Sequence, residues 1–119
     1  MLIEFTKTDF TFESEAGSLH QLIHDGWKQV NAIISYAGSV RGGHYHKYNK
    51  EQFFVVKGSF RLIVWKDETK EEYEMKTGDM FIIPEYVYHS FEYHECTTLV
   101  AMYDNGVELK DGSKDIYNE

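Results

Sequence analysis

Apolar and polar residues alternate along this chain mainly with a period of two, the period of a β-strand. Short apolar runs recur between turns that contain glycine or charged residues, and no long amphipathic helix interrupts them. This spacing is typical of an all-β sandwich or barrel. The pattern predicts strands at residues 30–36, 52–57, 60–66, 72–75, 80–83, 89–93 and 97–103.

The connections between these strands carry their own signals. Residues 57–58 (Lys-Gly) predict a tight hairpin, and residues 67–70 predict a second, polar turn. Residues 78–79 (Gly-Asp) precede a further strand. Residues 17–26 are compatible either with a short turn of helix or with an entering strand, and the sequence does not choose between them.

The strand predicted at 52–57 differs from the others because four consecutive residues, 53–56 (Phe-Phe-Val-Val), are apolar. A strand with one face in water would alternate, so both of its faces are expected to be buried. One face would line the barrel, and the other would pack against a second sheet or another subunit. A homodimer is therefore expected.

With 119 residues, the chain is long enough for one domain with a single hydrophobic core. Residues 1–103 are expected to form the β-barrel. Residues 104–119 are mostly polar and charged, and they are expected to form a loosely attached C-terminal arm.

The formal net charge of −8 argues against nucleic acid or an anionic membrane as a partner, because their phosphates would be repelled. No apolar run is long enough to span a bilayer. A single cysteine, Cys96, excludes an intramolecular disulfide. These features favour a cytoplasmic location, where thiols stay reduced.

Three histidines and one glutamate are spaced so that they can meet at one metal ion. His44 and His46 lie two positions apart, and such residues point to the same face of a strand. Glu51 follows a short polar stretch that can reverse the chain, so it is expected on the neighbouring strand, facing the histidines. His89 begins a later strand. Imidazole and carboxylate groups together suit one divalent transition metal such as Zn, Mn, Fe or Ni.

The alternative interpretation of these residues needs no metal. A pair of histidines separated by one residue is common on protein surfaces, and histidine can act directly as an acid or a base near neutral pH. The combined pattern of His44, His46, Glu51 and His89 favours the metal site. A metal-free, acid–base use of the same histidines stays open.

Residues 38–58 and 78–89 resemble the two sequence motifs of the cupin superfamily. The first motif is matched throughout, at Gly38, His44, His46, Glu51 and Gly58. The second is matched at Gly78, Pro84 and His89. It departs at Tyr86 and Tyr93, where the family usually has glycine and asparagine. The resemblance implies a double-stranded β-helix (a jelly-roll barrel), commonly dimeric, with the metal inside.

A narrower resemblance lies in the run RGGHYHK that begins at Arg41. It is similar to the sugar-nucleotide cupins, the WxcM-like or FdtA-like sugar 3,4-ketoisomerases. In that group a motif histidine is the base and a nearby arginine helps to bind the nucleotide diphosphate. The resemblance implies catalytic roles for His46 or His44 and substrate binding by Arg41. Those enzymes typically carry glutamine in place of Glu51 and need no metal, so this chain departs from them there.

Strand alternation places Phe91 and Tyr93 on the same face as His89. Both are therefore candidates for the wall of the pocket. Simple core packing is favoured for Phe91, while Tyr93 is equally compatible with packing and with substrate binding.

Three functions fit such a site. The leading hypothesis is a metal-binding isomerase or epimerase that moves a proton next to the keto group of a nucleotide-linked or other small sugar. The second is a metal-dependent dioxygenase or related oxidoreductase. The third is a non-catalytic module that binds a carbohydrate or another small molecule.

Overall fold

The computed structural model describes residues 1–118, which form twelve β-strands and no helix. The strands are β1 Glu4–Phe5, β2 Phe10–Ser14, β3 Gly17–Gln21, β4 Gln29–Ser35, β5 Val40–Tyr45, β6 Glu51–Lys57, β7 Ser59–Lys66, β8 Thr69–Lys76, β9 Met80–Ile83, β10 Tyr88–Tyr93, β11 Thr97–Tyr103 and β12 Tyr117–Asn118. None of these residues belongs to a helix long and apolar enough to cross a membrane.

Two five-stranded antiparallel sheets make up the domain. Sheet I has the strand order β1-β9-β6-β11-β4, and sheet II has the order β12-β5-β10-β7-β8. Strands β2 and β3 form a separate hairpin. This all-β jelly-roll confirms the predicted fold class. Each of the seven predicted strands is present, and most of their ends agree with the prediction within one residue.

The core lies between the two sheets and is built by alternate residues of the central strands. Phe53 and Val55 of β6 and Phe60 and Leu62 of β7 are almost completely buried. Aromatic rings extend this core toward β10, where Phe91 contacts both Phe53 and Phe60. The period-two pattern of the sequence thus becomes one continuous apolar layer, as expected for a sandwich.

The outer face of β6 is covered mainly by the chain itself. Phe54 is only 7% exposed because it packs in a cluster with Met80 and Met102. The side chains that close over this cluster are Leu22, Ile23 and Trp27. Val56, in contrast, is 45% exposed. The expected second buried face of β6 therefore exists at Phe54, but the chain's own segment supplies the cover there.

The predicted hairpin at Lys57 and Gly58 is wrong. Strand β6 belongs to sheet I and β7 belongs to sheet II, so Gly58 carries the chain from one sheet to the other. Gly58 has a φ of +124°, and a Cβ at this position would lie 2.3 Å from the Thr97 hydroxyl oxygen. A residue with a side chain does not fit there, and this crossover explains the glycine better than a hairpin turn does.

The expected loose attachment of the C-terminal arm is also wrong. Strand β12 pairs with β5, and both Val107 and Asp115 are buried. The prediction took the polar composition of residues 104–119 as a sign of weak attachment. In the structure, polar side chains and backbone groups attach this segment to the barrel mainly by hydrogen bonds. Glu119, the last residue of the predicted arm, lies outside the described residues.

Candidate functional site

The three histidines of the predicted site converge at one end of the space between the sheets. His44 is the second-last residue of β5 and pairs directly with His89 of β10, and His46 follows just after β5. One ring nitrogen from each histidine lies within 4.8 Å of the other two. The spacing of two between His44 and His46 therefore turns both rings toward the same interior point.

Gly42 makes the close approach of β5 to β10 possible. The pairing of these strands shifts between His89 and Ser90. Gly42 has a φ of +107°, and a Cβ there would lie 2.6 Å from the carbonyl oxygen of His89. Only glycine tolerates both the positive φ and the close approach of the neighbouring strand. Gly42 therefore allows the irregular pairing that sets His44 beside His89.

Glu51 reaches the histidines from the opposite sheet. It begins β6 of sheet I, whereas the histidines belong to sheet II or its edge, so the predicted position on a neighbouring strand is wrong. Residues 46–50 form a corner between the sheets, and Glu51 faces His46 across it. Its Oε1 atom lies 3.0 Å from His46 Nε2 and 3.7 Å from His89 Nε2. The Tyr103 hydroxyl hydrogen-bonds to the same carboxylate.

Backbone carbonyls fix the orientation of two of the three rings. The Nδ1 atom of His46 lies 2.6 Å from the carbonyl oxygen of Asp115, and the Nδ1 atom of His89 lies 3.2 Å from that of Val87. A carbonyl oxygen only accepts, so Nδ1 carries the proton in both rings. The Nε2 atoms of His46 and His89 then face Glu51, with the ring orientation that histidines have when they ligate metals.

The charges around the cluster push the three imidazoles in different directions. Burial acts to lower the pKa of His46, but the hydrogen bond and charge of Glu51, together with Asp115, raise it overall. Burial lowers the pKa of His44 and lowers that of His89 to about 4. His44 and His89 are therefore neutral at pH 7, while the space between His46 and Glu51 favours a positive charge.

The same geometry fits a transition-metal ion. Metal–nitrogen and metal–oxygen bonds of about 2.1 Å place adjacent ligand atoms of an octahedral or tetrahedral ion roughly 3.0 to 3.4 Å apart. The separation between Glu51 and His46 falls at this value, and the His89 separation is slightly longer. Two Nε2 atoms that face a buried carboxylate surround a position that a cation would fill.

A cavity of about 290 Å³ leads to the cluster. The cavity is lined by Ile33, Arg41, Gly42, His44, Glu51, Phe53, His89, Phe91, Tyr93, Leu99 and Tyr103. His44 and Glu51 belong to its polar wall, whereas the buried His46 is not among its lining residues. The cavity therefore offers apolar walls with a few converging polar groups, as small-molecule sites do.

Arg41, which is exposed, and Tyr93, which is buried, add two further polar groups to the wall of this cavity. Arg41 donates a hydrogen bond from Nε to the Ser35 hydroxyl at 2.7 Å and one from Nη2 to the Ile34 carbonyl at 3.3 Å. Tyr93 hydrogen-bonds to Ser35 as well. Burial raises the pKa of Tyr93, although Ser35 and Arg41 act to lower it. The two predicted substrate-binding residues thus share Ser35 as an anchor.

The structure brings together all six residues selected from the sequence: Arg41, His44, His46, Glu51, His89 and Tyr93. Tyr103, Ser35 and Asp115 were missed. Strand alternation could have found Tyr103, because it shares the inward face of β11 with Leu99. Nothing in the sequence indicates that Asp115, more than sixty residues after His46, returns to contact it.

Solved structures share the fold. A 3,4-ketoisomerase from Helicobacter canadensis superposes with a TM-score of 0.83 at 14% identity, covering 100% of this chain and 92% of the other. The 3,4-ketoisomerase QdtA from Thermoanaerobacterium thermosaccharolyticum, solved as a mutant with TDP-4-keto-6-deoxyglucose, has a TM-score of 0.74 at 16% identity, covering 87% and 80%.

Among curated proteins, a 3-hydroxyanthranilate 3,4-dioxygenase from Burkholderia cenocepacia is 35% identical over 66 residues, which is 54% of this chain. The matched region spans only 37% of that enzyme's length. Residues 32–103, which include every predicted site residue, match the family model of the cupin domain. The chain therefore belongs to the cupin family.

Proposed function

We propose that this cupin binds one divalent transition metal and isomerises or epimerises a small sugar by moving a proton next to its keto group. The observation that carries the proposal is the convergence of three imidazoles and one carboxylate behind a cavity whose wall includes Arg41 and Tyr93. The likeness in fold to sugar-nucleotide isomerases supports the substrate class.

His44, His46, His89 and Glu51 would hold the metal, which would be Zn, Mn, Fe or Ni. When bound, such an ion supplies Lewis-acid chemistry that stabilises negative charge on the keto oxygen. Burial of the site excludes water and strengthens this effect. The backbone contacts of His46 and His89 keep their Nε2 atoms available for the ion.

Proton transfer falls to residues that line the cavity. A base removes the proton on the hydroxyl-bearing carbon beside the ketone, and the C–H electron pair forms an enediolate. In isomerisation a proton is added to the former keto carbon, and the neighbouring hydroxyl loses its proton to become the new keto group. In epimerisation the proton returns to the same carbon from the opposite face.

With the histidines as ligands, Tyr93 is left as the acid, because its raised pKa keeps the phenol protonated. His44 takes the role of base in a metal-free site, because it lines the cavity and burial lowers its pKa, which keeps the ring neutral near pH 7. His46 is less suited, since both of its nitrogens are occupied.

Arg41 supports a phosphorylated substrate. Its guanidinium is held by Ser35 and Ile34, so little further ordering is needed when it binds phosphate. A cavity of about 290 Å³ accommodates a sugar ring rather than a whole nucleotide sugar. The nucleotide would therefore lie outside the cavity, with its phosphates near Arg41.

The test combines metal analysis with proton exchange. Protein purified without added metals is analysed for bound metal and incubated with TDP-4-keto-6-deoxyglucose in heavy water. Uptake of deuterium beside the keto group and a new sugar product are expected. If neither appears with any of the four metals, the proposal fails for this substrate. Exchange in protein without metal would instead assign the reaction to His44.

A metal-dependent dioxygenase is the second candidate, because of the 35% identity to 3-hydroxyanthranilate 3,4-dioxygenase over 66 residues. Three histidines and one glutamate on Fe(II) would leave coordination positions for oxygen and substrate. Oxygen consumption with 3-hydroxyanthranilate and Fe(II) would favour this function. Zinc as the tightly held native metal would count against it, since zinc has no redox chemistry. Ligand binding without turnover in either assay would leave a binding module.

We also propose that the protein is a homodimer. Phe10, Phe12 and Leu19 are each more than half exposed and share one face of the β2–β3 hairpin. The opposite face carries His20, which contacts Phe54 of the same chain. An isolated hairpin is marginally stable, so an outward apolar face needs a cover. We infer that a second copy of this chain covers the apolar face of the hairpin. The surface that it would place there is its own exposed apolar face on β4.

Strand β4 is an edge of sheet I, carries no charged residue, and leaves Val30 and Ile34 about 60% exposed. The outward faces of the hairpin and of β4 together form the surface that we expect a second copy to cover. Phe12→Lys should therefore shift the mass in solution from dimer to monomer, while Glu68→Lys at the distant β7–β8 turn should not. A monomeric wild-type protein would overturn this part of the proposal.

A further inference from the structure

The corner between β5 and β6 has to hold two proposed metal ligands in place. Residues 46–50 cross from sheet II to sheet I outside any strand pairing, with His46 at the start and Glu51 just after the end. Metal and substrate sites require their side chains within about 0.5 Å of the productive geometry. Contacts from outside the corner must supply this precision.

Asp115 supplies four of these contacts, although it lies far along the chain. Its carboxylate accepts hydrogen bonds from the backbone nitrogens of Lys47 and Tyr48, both at 2.9 Å, and from the Asn49 side chain at 2.8 Å. Asp115 is 0% exposed. Three N–H donors compensate its desolvation, so the carboxylate is held by the corner that it in turn orders.

Asn49 extends this network to the rest of the C-terminal segment. It is also 0% exposed, and its Oδ1 atom accepts hydrogen bonds from the backbone nitrogens of Asn105 and Gly106. Asp104 accepts a hydrogen bond from the backbone nitrogen of Lys50. Residues 47–50 are thus all bound by residues 104–115.

The backbone of Asp115 contacts the proposed ligand itself. Its own amide donates to the Val107 carbonyl at 2.8 Å, and its carbonyl oxygen accepts the proton of His46 Nδ1 at 2.6 Å. This contact places a proton on Nδ1 and turns Nε2 toward Glu51, which lies 3.0 Å away. The side chain and the carbonyl of one residue therefore act on the same corner.

We propose that Asp115 is the positioning residue of the site: its carboxylate holds residues 47–49 of the corner, and its carbonyl oxygen sets the tautomer of His46. The segment 104–118 is then part of the site rather than an appendage to the barrel. The consequence for a divalent transition metal rests on the proposed function, whereas the consequence for the His46 ring does not.

The experiment compares Asp115→Asn with Asp111→Asn. Both substitutions remove one carboxylate from the same segment, but Asp111 is exposed and its carboxylate accepts hydrogen bonds from Ser113, away from the corner. Long-range 15N–1H correlation spectra of the metal-free proteins, recorded where the His46 ring is neutral, report its tautomer. Competition with a chelator reports the affinity for Zn²⁺. Thermal unfolding is followed in parallel.

Wild-type protein and Asp111→Asn should show the Nδ1–H tautomer of His46 and equal Zn²⁺ affinity within about twofold. Asp115→Asn places an amide group against N–H donors, so a tautomer mixture and about 10- to 100-fold weaker Zn²⁺ binding are expected. A lower melting temperature with unchanged tautomer and affinity would reduce Asp115 to a structural role and overturn the proposal.

Two further outcomes are distinguishable. If Asp115→Asn does not fold, the wild-type spectrum decides alone, because an Nε2–H tautomer there contradicts the proposal. In the second outcome, the wild-type protein binds no Zn²⁺ or other transition metal, but its His46 has the Nδ1–H tautomer and Asp115→Asn loses it. The metal part of the proposed function then fails, while the positioning role of Asp115 stands.

Discussion

The two ends of the site differ sharply although His46 and His44 lie only two residues apart. At the closed end, His46 is 3% exposed, both of its ring nitrogens are occupied, and Glu51 raises its pKa. At the mouth, His44 lines the cavity, and burial lowers its pKa. Spacing along the strand sets the direction of both rings, but their neighbours set their chemistry.

The reason for the difference lies in what packs behind each ring. The C-terminal segment closes over His46 and supplies Asp115. His44, in contrast, lines the cavity and is only partly buried. The closed end is therefore suited to holding an ion in fixed geometry, and the mouth to admitting a ligand.

Removing a ligand at the closed end should have the largest effect. His46→Ala is expected to weaken metal binding by on the order of a thousandfold, ~4 kcal/mol. Losing a residue that binds the metal directly should cost more affinity than losing a residue that only orients such a ligand. Metal content after dialysis and calorimetric titration measure this, with Arg41→Ala as the control that keeps normal affinity. Full metal occupancy in His46→Ala would contradict the ligand assignment.

His89 lies between the closed end and the mouth of the site. Its titration should make the stability of the metal-free protein depend on pH. Its pKa is about 4 in the folded chain and 6.5 as the ordinary value. Between these values the unfolded chain binds the proton more readily, so stability falls as the pH drops from 6.5 toward 4. The expected loss is about 3 kcal/mol, from 1.36 kcal/mol per pKa unit.

Urea unfolding at several pH values measures this effect, and His89→Gln provides the comparison because glutamine does not titrate. The difference in unfolding free energy between pH 7 and pH 4 should be smaller in His89→Gln than in the wild type. Equal differences in the two proteins would mean that His89 is not buried in its neutral form.

At the mouth, Arg41→Lys should weaken substrate binding without changing metal affinity. Lysine keeps the charge but loses the planar donors that contact Ser35 and Ile34. KM for a phosphorylated sugar is expected to rise about 10- to 30-fold, about 2 kcal/mol for a charged hydrogen bond. A sugar without phosphate should show no such change. An equal loss for both substrates would argue against phosphate recognition by Arg41.

The smallest effect is expected outside the cavity, at Tyr86. This residue has a φ of +67°, and its amide donates to the carbonyl of His46. Glycine tolerates this conformation and alanine does not, so Tyr86→Gly should be about 1 kcal/mol more stable than Tyr86→Ala. Thermal unfolding of both variants checks this, and the reverse order would show that the backbone relaxes away from its left-handed conformation.

The fold was largely predictable because period-two burial is a local property of each strand. Strand β9, for example, begins and ends where its apolar pattern does. Strand β5 was not among the predicted strands, because its sequence VRGGHY has two glycines and little alternation. Strand β2 was missed for a related reason, since all of its residues are exposed and burial does not shape its pattern. Strand β3 lies within residues 17–26, where an entering strand was one of the two open alternatives.

The sequence by itself determined which side chains make up the polar cluster, because motif spacing and strand alternation direct His44, His46, His89 and Tyr93 inward. Tertiary structure alone decided that Glu51 approaches from the opposite sheet and that Asp115 sets the orientation of His46. The physical reason is the distance along the chain over which each effect acts. Strand alternation depends only on neighbouring residues. A hydrogen bond between residues 69 positions apart depends on how the whole chain folds back on itself.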